Sequence, residues 1–98
     1  MAGLMEEVIR KLGEVRDPES GLALLEANLL VEVSLLDDGT LQIIYSPRSP
    51  CSPVAVNLGL DIKRAALEVG LVEKVRVECV GHLMDDVVNR LLNSDYKG

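Results

Sequence analysis

The stretch SPRSPCSP at residues 46–53 separates a β-like apolar run from a helical one, and it decides how the elements on either side are joined. Two prolines within four residues exclude a regular strand or helix, because proline has a fixed φ and no backbone N–H. Ser52 has the side chain of a helix N-cap, and Pro53 suits the first helical position. The stretch therefore predicts a loop followed by a helix from about Pro53 to Val69.

Upstream of this loop, the first part of the chain predicts a helix. Apolar residues recur at helical spacing from Leu4 to Val15, and the spacing is typical of an amphipathic helix. Asp17-Pro18 should end it, because the residue before a proline is driven out of the helical region. Residues 16–27 contain a proline and a glycine, so we expect a loop or a short helical turn there.

A β-hairpin is predicted between this segment and the loop. Residues 28–36 and 41–45 form two apolar runs on either side of Asp37-Asp38-Gly39, which is a hairpin turn signal. Alternate residues of the first run should face the core, namely Leu29, Val31, Val33 and Leu35.

Downstream of the loop, the pattern predicts a third strand and a last helix. Gly59 should mark a close backbone contact of the middle helix, and Gly70 should be the C-cap residue of that helix. Residues 72–80 alternate like a half-buried strand, with Cys79 on the core side. Residues 93–98 should fray after the last helix, whose apolar stripe consists of Leu83, Met84, Val87, Val88, Leu91 and Leu92.

The predicted order of elements is therefore α-β-β-α-β-α. A right-handed crossover through the middle helix would place the third strand parallel to the second. We expect an α+β fold, a two-layer sandwich in which a small three-stranded mixed sheet carries the helices on one face. Ninety-eight residues suffice for one such core, so residues 1–98 are predicted to be a single domain.

Composition narrows the classes of partner. The formal net charge is −6 and the aromatic residues are two tyrosines, which argues against binding to nucleic acid. No run approaches the roughly 18 apolar residues that a membrane span needs. The N-terminal residues show no export signal, so we expect a cytoplasmic protein whose two cysteines are reduced thiols.

Cys51 is the most informative single residue. A thiol at the predicted start of a helix lies beside unpaired N–H groups, where the thiolate is favoured. Such a group can act as a nucleophile or as a ligand for a soft metal. Arg48 could assist it or simply face solvent, and Cys51 itself could be a small loop hydrophobe.

Four other residues are candidates, and each has a structural interpretation. Asp17 and Glu19 could orient the thiol, take a proton or complete a metal shell, or they could be a solvated helix stop. His82, the only histidine, could be a second metal ligand or a base for Cys51, or a cap at a strand–helix junction. Cys79 should be structural. One chain offers at most two thiolates and one imidazole, so a stable cluster would need a second chain or a partner protein.

These features resemble the SufT/PaaD-like domain family of iron–sulfur cluster assembly. The resemblance covers nearly the whole chain and lies in the first helix followed by Asp17-Pro18-Glu19, the hairpin with Asp38-Gly39, and the proline-flanked Cys51. The chain departs from the family pattern in reading LEANLL at residues 25–30, SPCS at residues 49–52 and GHLM at residues 81–84. It is therefore a divergent member by this comparison.

The resemblance implies a role in maturation or transfer of iron–sulfur clusters, with Cys51 as the key residue and Asp17 and Glu19 as the acidic motif. The leading hypothesis is a non-catalytic factor that ligates iron or a cluster transiently, holds no permanent cofactor, and contacts carrier or client proteins. The alternative is an interaction module, such as a homodimer, in which Cys51 is incidental. Apolar residues on a second side of the middle helix favour it, namely Val56, Leu60 and Leu67. A cysteine hydrolase using Cys51 and His82 is a third hypothesis.

Overall fold

Over residues 3–94, three helices and three strands follow one another in the predicted order α-β-β-α-β-α. A computed structural model describes residues 3–94, and the predicted fraying of the last residues falls partly on residues 95–98, outside the described part. The elements are α1 (Leu4–Leu12), β1 (Leu30–Leu35), β2 (Leu41–Tyr45), α2 (Ala55–Leu67), β3 (Val75–Cys79) and α3 (Asp85–Leu92). The α+β class and the element order are confirmed.

The three strands form one mixed sheet in the order β1-β2-β3. β1 pairs antiparallel with β2, and β2 pairs parallel with β3 from Leu41↔Val75 to Tyr45↔Cys79. This parallel pairing is the one that a crossover through α2 predicts. Side chains of β2 and β3 alternate between buried and half-buried positions, because α2 and α3 pack on β3 and α1 packs on α2.

The hairpin turn forms as predicted. Gly39 has φ +88°, a conformation that glycine adopts without a steric penalty. The backbone N–H of Leu36 donates to the Thr40 carbonyl at 2.8 Å. The Asp38 carboxylate accepts the Thr40 backbone N–H at 2.9 Å, and this bond lowers the pKa of Asp38.

β1 corrects the predicted inward face of the first strand. Val31 is 59% exposed and Leu35 is 52% exposed. The register shifts between Leu30 and Glu32, which interrupts the alternation. β1 is an edge strand, and Leu30 and Val33 are its residues that pack, partly buried, against the core. Leu29 is buried, but it precedes the strand.

Two helices are shorter than predicted. α1 ends at Leu12 because the backbone of the next residues pairs elsewhere: the Val15 carbonyl accepts the Leu24 N–H at 2.8 Å, and the Asp17 N–H donates to the Leu22 carbonyl at 2.8 Å. α2 ends at Leu67, and its C-cap residue is Glu68. The prediction that Gly70 caps α2 is therefore wrong.

α3 also differs from its predicted apolar stripe. It begins at Asp85, and only Val88 and Leu92 among its apolar residues are buried. Leu83 and Met84 lie before the helix and are exposed, as are Val87 and Leu91 within it. The reason is that α3 presents a polar row to the sheet beside its apolar one.

That polar row covers the outer edge of β3. Asn89 accepts the Cys79 N–H at 2.6 Å and donates to the Cys79 carbonyl at 3.1 Å. Asn93 accepts the Val77 N–H at 3.1 Å and donates to the Val77 carbonyl at 2.8 Å. Two side-chain amides one helical turn apart thus replace the missing neighbour strand, which prevents unpaired backbone groups at this edge.

The core closes where α2 crosses the end of β2. The Tyr45 hydroxyl donates to the Ala55 carbonyl, and burial raises the pKa of Tyr45. A Cβ atom at Gly59 would lie 2.6 Å from the Tyr45 hydroxyl oxygen and 2.6 Å from Leu92 Cδ2. The prediction of close packing at Gly59 is confirmed.

Over residues 3–94, no helix combines the length and the hydropathy that crossing a bilayer requires.

Candidate functional site

Cys51 is exposed in the loop between β2 and α2. Because β2 and β3 are parallel, this loop and the segment after β3 both start at the carboxyl ends of the strands. α2 begins at Ala55 after an N-cap at Val54 that has no side-chain cap bond. The predicted start at Pro53 with Ser52 as N-cap is therefore wrong, and Cys51 lies three residues before the N-cap residue.

The Ser52 side chain makes a different set of contacts, which explains the correction. Ser52 is buried, and its hydroxyl donates to the Glu19 carboxylate. The same hydroxyl oxygen accepts the Val54 N–H at 3.4 Å. The residue that follows Cys51 is thus attached to the loop after α1 rather than to the first turn of α2.

Asp17 organises that loop from within. Its buried carboxylate accepts the Ser20 N–H at 3.1 Å, the Ser20 hydroxyl at 2.8 Å and the Glu19 N–H at 3.4 Å. A carboxylate that closes a turn on its own following residues is an Asx-type turn. The contacts of Asp17 are with its own loop, whereas the Glu19 carboxylate reaches the neighbour of Cys51.

The segment after β3 approaches Cys51 from the other side. The Leu83 N–H donates to the Pro50 carbonyl at 2.8 Å. His82 Nε2 lies 3.0 Å from the Ser52 carbonyl oxygen, and the Met84 N–H donates to His82 Nδ1 at 3.0 Å. The carbonyls on both sides of Cys51 are therefore bound by consecutive residues of one turn.

Cys79 has the opposite environment. It is 1% exposed, and burial raises the pKa of its thiol, opposed in part by a hydrogen bond with Tyr45. The prediction that Cys79 points into the core is confirmed. A buried neutral thiol of this kind behaves as a small hydrophobe.

The structure brings Glu19 and His82 to the residue beside Cys51 but does not assemble a complete metal shell. Within the described residues, no group of three histidine, cysteine, aspartate or glutamate side chains is placed to hold a metal ion. A base role of His82 toward Cys51 would require the ring to leave one of its two backbone partners. The roles of Cys51, Asp17, Glu19 and His82 as ligands stay predictions.

Sequence reasoning missed the residues that connect these loops. Ser20, three residues after Asp17, could have been found as part of an Asx turn. The bond from Ser52 to Glu19 spans 33 residues and leaves no local signal. Asn89 and Asn93 share one helical face by their spacing, but nothing in the sequence shows that the edge of β3 lies against that face.

Comparison with known proteins places the chain in a family. A family model described as iron–sulfur cluster assembly protein matches residues 5–79. An uncharacterised protein of Methanocaldococcus jannaschii is 28% identical over 87 residues, which cover 89% of this chain and 92% of that protein.

Two solved structures share the fold. A domain of unknown function from Bacillus anthracis superposes with a TM-score of 0.71 at 20% identity, covering 94% of this chain and 90% of that one. Rv1466 from Mycobacterium tuberculosis, described as a protein associated with iron–sulfur complex assembly and repair, superposes with a TM-score of 0.51 at 22% identity, covering 97% and 88%. The match of the family model over residues 5–79 shows that this chain belongs to the iron–sulfur cluster assembly protein family.

Proposed function

We propose that this protein is a non-catalytic factor in iron–sulfur cluster assembly or transfer, and that Cys51 ligates iron or a cluster transiently. The observation that carries the proposal is an exposed thiol on a loop whose flanking backbone is fixed. Pro50 and Ser52, on either side of Cys51, are both hydrogen-bonded to the turn after β3. The family membership and the description of Rv1466 support the same role.

The ligand chemistry of the loop suits transfer rather than storage. Thiolate sulfur is a preferred ligand for iron–sulfur centres, which usually have four thiolate ligands. Cys51 is the exposed cysteine of the chain and Cys79 is buried. The other ligands of a cluster on Cys51 would therefore come from a carrier, a client protein or a second copy of this chain. Incomplete ligation by this chain allows the cluster to be released.

Anaerobic reconstitution tests the proposal. The wild-type protein, Cys51→Ala and Cys79→Ala are incubated with iron and sulfide, and visible absorption and metal content are measured after desalting. We expect the wild type and Cys79→Ala to take up iron or a cluster. The metal content of Cys51→Ala should be at least about 10-fold lower than that of the wild type, which is the order of effect seen when a supporting group of a metal site is removed. Circular dichroism controls for folding.

The outcome that would contradict the proposal is equal uptake by the wild type and Cys51→Ala, or none by either. In the second case the protein would have failed as a cluster factor under conditions where its fold is intact. The iron content per chain also distinguishes a cluster held by one chain from one shared by two.

A second function, an interaction module with Cys51 incidental, is favoured by one observation. Leu60, Leu67 and Leu91 are exposed and line a groove between α2 and α3. Substituting Leu67→Glu should abolish self-association measured by light scattering if a homodimer uses this groove, whereas Cys51→Ala should leave it unchanged. A monomer in both the wild type and the variant would contradict the homodimer version.

A further inference from the structure

His82, the single histidine of the chain, has a defined proton position. The Met84 backbone N–H can only donate, so the His82 Nδ1 that receives it at 3.0 Å must carry a lone pair. In the neutral ring the proton is then on Nε2, which lies 3.0 Å from the Ser52 carbonyl oxygen and donates to it. The tautomer is assigned from this hydrogen-bond network.

This arrangement leaves neither ring nitrogen available for a metal. A metal binds an imidazole nitrogen through its lone pair, and the Nδ1 lone pair is occupied by Met84 while Nε2 carries the proton. Binding iron would require His82 to break one of these bonds and so to release the turn or the Ser52 carbonyl.

The same contacts fix the backbone of Cys51. His82 Nε2 donates to the Ser52 carbonyl and the Leu83 N–H donates to the Pro50 carbonyl at 2.8 Å, so two consecutive residues bind the carbonyls of the two residues that flank Cys51. Glu19 adds a third attachment through the Ser52 hydroxyl. The Cys51 side chain stays exposed between these attachments.

We propose that His82 is a positioning residue for the Cys51 thiolate and not a metal ligand. This inference rests on the proposed function, in which Cys51 binds metal. Fixing the backbone on both sides of a ligand lowers the conformational freedom that is lost on binding. Groups that orient a ligand from outside the coordination shell change metal affinity by about 10- to 100-fold when they are removed.

Three substitutions at one position separate positioning from ligation. His82→Gln keeps an amide donor at about the reach of Nε2, so it can still bind the Ser52 carbonyl. His82→Asn keeps an acceptor at about the reach of Nδ1, so it can bind the Met84 N–H but not Ser52. His82→Ala keeps neither. Asn93→Ala removes two hydrogen bonds to β3 away from the loop and controls for a general loss of stability.

The probe is Co²⁺ titrated anaerobically into each protein, with the thiolate-to-cobalt absorption band as the readout and Cys51→Ala as the blank. We expect His82→Gln and Asn93→Ala to bind Co²⁺ within about 2-fold of the wild type. His82→Ala and His82→Asn should bind about 10-fold more weakly. Equal weakening by Gln, Asn and Ala would show that His82 is a ligand, and no weakening by any of them would show that it does not position the thiolate; either result overturns the inference.

A measurement without metal separates this inference from the proposed function. Amide hydrogen exchange of Leu83, which donates to the Pro50 carbonyl, reports whether the two loops stay attached. We expect exchange at least about 10-fold faster in His82→Ala and His82→Asn than in the wild type and His82→Gln. If the wild type binds no Co²⁺ the proposed function fails, and if Leu83 exchanges equally in all four proteins the positioning role fails.

Discussion

The two cysteines of this chain lie at or beyond the carboxyl ends of two parallel strands and have opposite environments. Cys79 is the last residue of β3, the strand on which α2 and α3 pack, and it is buried. Cys51 lies in the loop after β2, six residues beyond Tyr45, which pairs with Cys79, and it is exposed. Cys79 has its backbone bound by Asn89 and its thiol next to Tyr45. Cys51 has its neighbours bound and its own thiol left free to solvent. Packing therefore makes one thiol a core residue, whereas the loop that carries the other leaves it exposed.

The largest expected effect is the difference in reactivity between the two thiols. Native protein treated with iodoacetamide should be alkylated at Cys51 on the order of 10³-fold faster than at Cys79, because a buried thiol reacts only through rare opening of the structure. Peptide mapping by mass spectrometry measures both rates in one sample, and denatured protein gives the reference rates. Comparable alkylation rates of Cys51 and Cys79 in the native protein would contradict the burial of Cys79.

Gly59 offers a way to change one cysteine without the other. A Cβ atom at this position would lie 2.6 Å from the Tyr45 hydroxyl oxygen and from Leu92 Cδ2, and Tyr45 is held against α2 by its bond to Ala55. We expect Gly59→Ala to lower the free energy of unfolding by about 2 kcal/mol, the usual cost of overpacking, despite the better helix propensity of alanine. Urea denaturation measures the change.

The same variant should raise the alkylation rate of Cys79 by about 30-fold and leave that of Cys51 unchanged, because only Cys79 reacts through unfolding. Gly70→Ala is the matched control: no atom lies within 4 Å of the added Cβ, so stability should stay within about 0.5 kcal/mol. A stabilised Gly59→Ala protein would contradict the packing described around Tyr45.

The contrast between the two thiols could be predicted only in part from the sequence. The alternation of residues 72–80 places Cys79 on the core side, and the Asp-Asp-Gly turn and the parallel crossover follow from local signals. The prolines correctly indicate a loop at Cys51. Period and turn chemistry act over a few residues, and connection handedness is a general rule that applies to any such crossover.

The errors about Ser52, the first strand and the candidate ligands come from contacts between distant segments. Ser52 has the residue type of an N-cap, but Glu19 binds its hydroxyl. Val31 and Leu35 alternate like core residues, but β1 is an edge strand with a shifted register, and both side chains are exposed. Glu19 and His82 were singled out for their residue types, yet their contacts with Ser52 rather than with Cys51 depend on how three loops meet.

The smallest expected effect is on the pH dependence of stability. Burial raises the pKa of the Cys79 thiol in the folded protein, so the folded state disfavours the thiolate relative to the unfolded state. The contribution is complete below the unfolded pKa of about 8.5 and is lost as pH rises above it, since the unfolded chain then releases a proton that the folded chain retains. Between pH 7.5 and 9.5 the wild type should lose more stability than Cys79→Ala. Urea denaturation of both proteins at the two pH values, under reducing conditions, measures this difference. If the loss is the same in both, Cys79 does not titrate differently in the folded and unfolded states, and burial does not raise the pKa of its thiol.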